Sequence, residues 1–265
     1  MSEVYLLGHP VSHSLSPAVH NAAFKALGLP HRYSLKDTKP EGLAGAIAAL
    51  RSDPSLGANV TVPHKERAMR LVDELGEEAR AIGAVNTIVR RGSRLVGHNT
   101  DAYGVSQAMA EVAAPKDVLL LGAGGAARAC LHSLLLAGHR VAVANRTRAR
   151  ADDLVASIDG PGERARVTGW PMKGAPVAAD VVVNATSLGL HGEDPLEDIP
   201  LPAVVVDIVA IKGGTPLVRR AREAQDVVVV EGSMVLLHQA VRAFELWTGV
   251  GAPLEVMRAA LLRAA

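Results

Sequence analysis

The segment VLLLGAGGAARA, residues 118–129, constrains the fold of this chain more than any other stretch. Val118–Leu121 is apolar without interruption, which suits a strand covered on both faces. Behind it stand Gly122, Gly124 and Ala127, spaced G-x-G-x-x-A, and then a helical run closed by Gly138. Gly122 permits the tight turn, Gly124 lets a pyrophosphate approach the backbone, and Ala127 lets the helix sit close to the sheet. The N-terminus of that helix offers unpaired N–H groups to phosphate. Gly122, Ala123, Gly124, Gly125 and Ala126 are therefore candidate dinucleotide-binding residues in a Rossmann-type unit. An NAD site normally closes its next strand with Asp or Glu, about 20 residues beyond the loop, to hold the ribose hydroxyl. Here that strand runs into Asn145-Arg146-Thr147-Arg148, with Arg150 following. A guanidinium grips a phosphate through paired N–H groups where a carboxylate would repel it, so the cofactor is expected to be NADP.

Strand and helix patterns alternate along the whole chain. Strands are expected at Val4–Gly8, Arg32–Lys36 and Gly57–Val62, with helices at Pro17–Gly28 and Glu41–Arg51. A further helix is expected from Pro63, in its first turn, to about Leu75. Asn86–Arg90 and Arg94–His98 read as a hairpin, and Asp101–Ala113 as a helix that Thr100 or Asp101 would cap. After the glycine loop come β-branched strands at Arg140–Ala144, Asp180–Asn184, Val204–Asp207 and Val227–Val230. Helices follow at Gly232–Trp247 and Pro253–Ala265. Such alternation implies parallel sheets with crossover helices, here two successive α/β units with a ligand cleft expected between them.

Composition removes several alternatives. Lys+Arg is 28 and Asp+Glu is 27, so no basic field is available to bind nucleic acid, and 3% aromatic residues leave little for base stacking. Cys130 is the single cysteine, which excludes an intrachain disulfide and suits a reducing cytoplasm. His9, His13, His20, His64 and His98 show no metal-ligand spacing, so no metal is expected. Val118–Gly138 is the most membrane-like stretch, but glycines, Arg128 and His132 interrupt it, and a buried strand, turn and helix are expected there. The start, MSEVYLLGHPVSHS, lacks a basic region and a long apolar run, so no secretory signal is expected.

The first half carries polar clusters of another kind. PVSHSLSP sets Ser12, Ser14 and Ser16 ahead of Pro17, where hydroxyls cap a helix or bind a carboxylate. NVTVPHK supplies Asn59, Thr61 and Lys65; GAVNT supplies Asn86; HNTDAYG supplies Asn99, Thr100 and Asp101. Each alone is compatible with turn chemistry.

Their order changes the reading. PVSHSLSP, NVTVPHK, GAVNT, NTD, GAGGAAR, NRT, NATSLG, EGSMVLLHQA and FELWTG follow one another from about Leu6 to Trp247. In this the chain resembles the shikimate dehydrogenases of the shikimate/quinate dehydrogenase family. The resemblance implies an N-terminal α/β substrate domain, residues 1–101 joined by returning C-terminal helices in 232–265, and a Rossmann-type NADP domain, residues 102–231. It implies NADPH-dependent reduction of 3-dehydroshikimate to shikimate, in chorismate and aromatic amino-acid biosynthesis, by a cytoplasmic monomer or homodimer.

Carried over by motif, Lys65 and Asp101 would be the catalytic pair. Ser14 and Ser16 would hold the substrate carboxylate, and Thr61, Asn86, Asp101 and Gln239 the ring hydroxyls. Gly122–Ala126, Asn145, Arg146, Thr147, Arg150, Thr186, Ser187 and Gly232 would serve the cofactor, with Glu77 where the family places an acid near it. One residue departs from the pattern: the strand read as VVVDIVA ends in Ala210, where the family has a tyrosine whose hydroxyl helps to hold the substrate carboxylate. A catabolic quinate/shikimate dehydrogenase and a non-enzymatic NADP-binding regulator of the same fold are the alternatives. Ser14, Ser16 and Asn145-Arg146-Thr147 speak against the first, and Lys65 with Asp101 against the second.

Overall fold

The computed structural model describes residues 2–52, 54–110, 112 and 116–264. Its chain divides into one unit formed by Met1–Tyr103 with Leu237–Ala265, and a second formed by Gly104–Leu236.

The first unit opens with β1 (Ser2–Gly8), α1 (Ser16–Ala26) and β2 (His31–Asp37), the two strands pairing in parallel with Val4 opposite Tyr33. A 3-10 turn at Pro40–Gly42 leads into α2 (Leu43–Ala49), and β3 (Ser55–Val60) pairs in parallel on the other side of β1. Next come α3 (Lys65–Ala68), β4 (Glu74–Leu75), α4 (Glu77–Ile82), β5 (Thr87–Arg91) and β6 (Arg94–His98). The sheet order is β2-β1-β3-β5-β6-β4. This sheet is mixed rather than parallel throughout. Only two residues, Gly92 and Ser93, join β5 to β6, and so tight a link requires antiparallel strands. Leu7, Leu43, Ile47, Ala58, Val60, Ile88 and Leu95 bury themselves together in its core.

The helix expected from Pro63 to Leu75 is one turn long. Pro63 stands in the turn before it, where His64 N–H donates to the Thr61 carbonyl at 2.9 Å. Beyond Ala68 the backbone finds better partners on β6 than a helix would offer. Asp73 N–H donates to Leu95 O and Gly76 N–H to Gly97 O, each at 2.9 Å, while Leu95 N–H donates to the Asp73 carboxylate at 2.7 Å. α4, for which the sequence carries no clear signal, follows directly. α5 (Asp101–Ala108) starts where expected but tightens into a turn after Ala108; Ala113 lies outside the described residues.

The second unit comprises β7 (Asp117–Leu121), α6 (Gly125–Leu136), β8 (Arg140–Ala144), α7 (Arg148–Ile158), β9 (Ala165–Thr168), β10 (Val181–Asn184), β11 (Val204–Asp207), α8 (Pro216–Glu223) and β12 (Val228–Glu231). All its strands pair in parallel, in the order β12-β11-β10-β7-β8-β9. Alternation along the central strands explains their unbroken hydrophobicity. Val118, Leu120, Val181, Val183 and Val206 enter one apolar cluster, whereas Leu119, Leu121, Val182 and Val205 enter another on the opposite face. Each fully buried side chain of this size contributes about 1.5–3 kcal/mol.

The strand expected at Val204–Asp207 ends at Asp207 as expected, and the VVVDIVA run does not continue as strand to Ala210. The Asp207 side chain turns back onto the chain that follows, accepting from Val209 N–H at 3.0 Å, and Ala210 lies half-buried in irregular backbone. α9 (Gly232–Thr248) carries the chain from the second unit into the first, and α10 (Leu254–Ala264) packs there on α1. Trp247 Nε1 donates to Ile88 O at 2.9 Å. The helix end expected at Ala265 is outside the described residues. Among the described residues, no helix is long and apolar enough to cross a membrane.

Candidate active site

Two clusters of sequence-selected residues come together, one in each unit. In the first unit, Lys65 is the opening residue of α3 and Asp101 the opening residue of α5. Lys65 Nζ donates to Asp101 Oδ2 at 2.6 Å, with side chains 13% and 15% exposed. So little water screens the pair that both groups are held in a defined geometry, yet each keeps a face open to a ligand. Asn86 Nδ2 donates to the other Asp101 oxygen at 2.7 Å. Asp101 N–H in turn donates to Asn99 Oδ1 at 3.0 Å, which fixes the start of α5. Thr100, expected as a possible cap, instead turns its hydroxyl to Asn86 and to Gln239 Oε1, the latter at 3.3 Å.

The other candidates in this unit lie on neighbouring loops and helix ends. Thr61 follows β3 and its N–H donates to Leu7 O at 2.9 Å. Ser16 is buried at the first position of α1, and its N–H donates to the half-buried Ser14 hydroxyl at 3.3 Å. Glu77 is exposed at the start of α4; among the described residues, no hydrogen bond ties it to Lys65 or Asp101.

In the second unit, residues 122–124 form the turn between β7 and α6, and Gly125 and Ala126 open the helix. Gly122 has φ +112°, and a Cβ there would stand 2.8 Å from Ala185 O, so both the turn and the close approach require glycine. No described side chain caps the first turn of α6, and a Cβ on Gly124 would meet nothing within 4 Å. The N–H groups there thus face open space suited to an anion. β8 pairs beside β7, so Asn145–Arg150 emerge at the same end of the sheet. Asn145 Nδ2 donates to Thr147 O at 2.8 Å, and Arg146, Arg148 and Arg150 are exposed. The residues present therefore fit a dinucleotide with an extra phosphate.

Thr186 and Ser187 follow β10. Asn184 Oδ1 accepts from Thr186 N–H at 3.2 Å and from its hydroxyl at 2.7 Å, while Ser187 is exposed. Gly232 opens α9 where a Cβ would come within 2.6 Å of Val209 O.

Asp207 was not selected from the sequence, yet it organises this end of the sheet. It is fully buried and accepts from Asn184 Nδ2 at 3.0 Å, Val209 N–H at 3.0 Å and the Thr215 hydroxyl at 2.6 Å. Burial nevertheless pushes its carboxyl up to about 6, because these donors only partly replace water and the Asp194 charge opposes ionisation. Tyr33 and Thr87 were missed as well. A tyrosine in an alternating strand and a threonine after Asn86 carry no signal until the fold sets them beneath Asp101.

A parallel sheet with a glycine turn and strand-end arginines, together with an α/β unit holding a lysine–carboxylate pair, defines a dinucleotide-dependent oxidoreductase. Comparison with known proteins narrows the class. Residues 6–88 match the shikimate dehydrogenase substrate binding domain, residues 105–209 the shikimate/quinate 5-dehydrogenases, and residues 235–262 the shikimate 5'-dehydrogenase C-terminal domain. The NADP(+) shikimate dehydrogenase of Symbiobacterium thermophilum is 42% identical over 281 residues, spanning 98% of this chain and 93% of its own. That of Rubrobacter xylanophilus is 44% identical, spanning 98% and 95%. The crystal structure of the Thermus thermophilus shikimate 5-dehydrogenase in complex with NADP(H) and shikimate covers 100% of both chains at 38% identity, with a TM-score of 0.84. The chain belongs to the shikimate dehydrogenase family.

Proposed function

We propose that this chain catalyses the reversible NADP-dependent reduction of 3-dehydroshikimate to shikimate, with Lys65 as the proton-transferring group. The observation that carries this reading is the 2.6 Å Lys65–Asp101 contact, braced by Asn86 on the second carboxylate oxygen, in a member of this family.

Reducing a ketone to an alcohol requires a hydride at carbon and a proton at oxygen. NADPH, when bound, supplies the hydride. The Lys65 ammonium donates a proton to the oxygen as negative charge develops there, and recovers one from solvent; in the reverse direction the neutral amine takes the hydroxyl proton. Asp101 fixes the ammonium through Oδ2 and accepts a substrate hydroxyl as well. Ser14 and Ser16 would hold the substrate carboxylate, and Thr61, Asn86 and Gln239 the ring hydroxyls. Gly122–Ala126 would cradle the pyrophosphate, Arg146 with Asn145, Thr147 and Arg150 the 2′-phosphate, and Thr186, Ser187 and Gly232 the nicotinamide half, with Glu77 lending weaker support. The near-balanced charge supports a small-molecule substrate rather than nucleic acid or membrane, and the lone, buried Cys130 supports a cytoplasmic site of action. A monomer or homodimer suffices, since every proposed residue comes from one chain.

Absorbance at 340 nm tests the reading with shikimate or quinate as substrate and NADP or NAD as acceptor. Turnover should be fastest with shikimate and NADP. No turnover with that pair, or a preference for quinate with NAD, would overturn the assignment.

A further inference from the structure

The Lys65–Asp101 pair does not end at Asn86. A single run of buried hydrogen bonds leads from it through Thr87 and Asn59 to Tyr33, on β2, all within the first unit. Tyr33 Oη donates to Asn59 Oδ1 at 2.8 Å. Asn59 Nδ2 donates to Thr87 Oγ1 at 2.9 Å and to Asn86 O at 3.1 Å. Thr87 Oγ1 donates to Asn86 Oδ1 at 2.9 Å, and Asn86 Nδ2 donates to Asp101 Oδ1 at 2.7 Å. Tyr33 and Thr87 are among the most buried polar side chains of the protein, and Asn59 and Asn86 are 5% and 2% exposed.

The polarity of this run is determined by its fixed ends. Asn59 faces the Asn86 carbonyl, which only accepts, so that side of its amide is the NH2 and its oxygen faces Tyr33. Asn86 receives Thr100 N–H at 2.7 Å, which only donates, so that side of its amide is the oxygen and its NH2 faces Asp101. Thr87 already accepts from Asn59, and its one hydrogen goes to the nearer acceptor, the Asn86 oxygen at 2.9 Å, rather than to Thr100 Oγ1 at 3.2 Å. At the far end, the Tyr33 ring stacks on His20 with centroids 4.5 Å apart. Burial holds the Tyr33 phenol in its protonated, donating form.

We propose that Tyr33, Asn59 and Thr87 form a positioning chain that clamps the Asn86 amide, and through it the Asp101 carboxylate, in the orientation that presents Lys65 to the substrate. None of the three needs to touch the reacting atoms. This inference rests on the functional reading above.

Thr87→Val keeps the β-branched shape that suits β5 and removes only the hydroxyl. Thr87→Ser keeps the hydroxyl. In the shikimate oxidation assay, Thr87→Val should lower kcat about tenfold, the effect of loosening one hydrogen bond to a charged group, and leave KM for NADP unchanged. Thr87→Ser should restore kcat to within about twofold of the parent. A Thr87→Val protein with parental kcat overturns the proposal, as does a Thr87→Ser protein equally impaired, which would mean that packing rather than the hydroxyl matters. If Thr87→Val does not fold, Tyr33→Phe decides: it keeps the ring stack and removes the first donor, so reduced kcat with unchanged KM for NADP supports the chain and parental kcat overturns it. A parent without activity on shikimate would sink the functional reading, and the positioning role with it. An active parent with indifferent variants would sink the positioning chain alone.

Discussion

Replacing Asp207 by asparagine tests the energetics of the second unit where they are most exposed to measurement. In the folded chain the carboxyl sits at about 6, against an ordinary value of 3.8. A carboxyl whose pKa rises on folding takes up a proton between those values, so its ionisation opposes folding above that interval. At 1.36 kcal/mol per pH unit, the interval amounts to about 3 kcal/mol. Of this, about 1.3 kcal/mol is regained as the pH falls from 7 to 5. Asp207→Asn removes the charge and this pH dependence together. It also costs a bond. The amide oxygen still serves Asn184 and Val209, but the NH2 faces the Thr215 hydroxyl, which then loses its acceptor, at about 1.5–3 kcal/mol.

The two effects largely offset each other at pH 7, so parent and variant should agree there within about 1.5 kcal/mol. At pH 5 the variant should fall behind the parent by about a further 1.3 kcal/mol. Urea unfolding of both proteins at the two pH values measures the change. Asp73, Asp117 and Asp198 are held below the usual carboxylate range by Arg51, Arg140 and Lys173, and they oppose this trend as the pH falls. They are present in both proteins and cancel in the comparison. A stability difference that is the same at pH 5 and pH 7, or that shifts in the variant's favour, would refute the argument.

Cofactor choice should depend on Arg146: Arg146→Ala should raise KM for NADP about tenfold or more, with a smaller change for NAD, and the loss should shrink at high salt. Equal effects on both cofactors would remove Arg146 from the 2′-phosphate. Ala210→Tyr should lower KM for shikimate, by at most the about 1–3 kcal/mol of a hydrogen bond to a charged group, and leave KM for NADP unchanged. A folded variant with unaltered shikimate KM would mean that the half-buried position 210 does not face the substrate.

The glycine turn, the strand-end arginines and most strands were legible in the sequence because each rests on local chemistry. Gly122 needs positive φ and contact with Ala185 O, and valines that serve both faces of a sheet leave no polar gap. What escaped depended on partners remote in sequence. Glu74–Leu75 becomes a strand only because β6 lies alongside, and four-residue β9 gains its pairing from β8. Residues 208–210 of the VVVDIVA run are not strand, because the Asp207 carboxylate captures Val209 N–H and the Thr215 hydroxyl. The motif around Asn86 was visible, but its support by Thr87 and Asn59 follows from the pairing of β3 with β5, and Tyr33 reaches Asn59 from β2 across the sheet. Short motifs thus pointed to the groups proposed to meet ligands, whereas the residues holding those groups in place required the fold.

Lys65 is proposed to move the proton while the other site residues bind. The most direct measurement of that role is kcat for shikimate oxidation by Lys65→Ala, alongside NADP binding to the same protein. Turnover should fall by about 10²–10⁴-fold, the span expected for one acid/base group, with the NADP dissociation constant within about threefold of the parent. A variant with near-parental kcat would contradict the account, because the proton would then be moving through a different group.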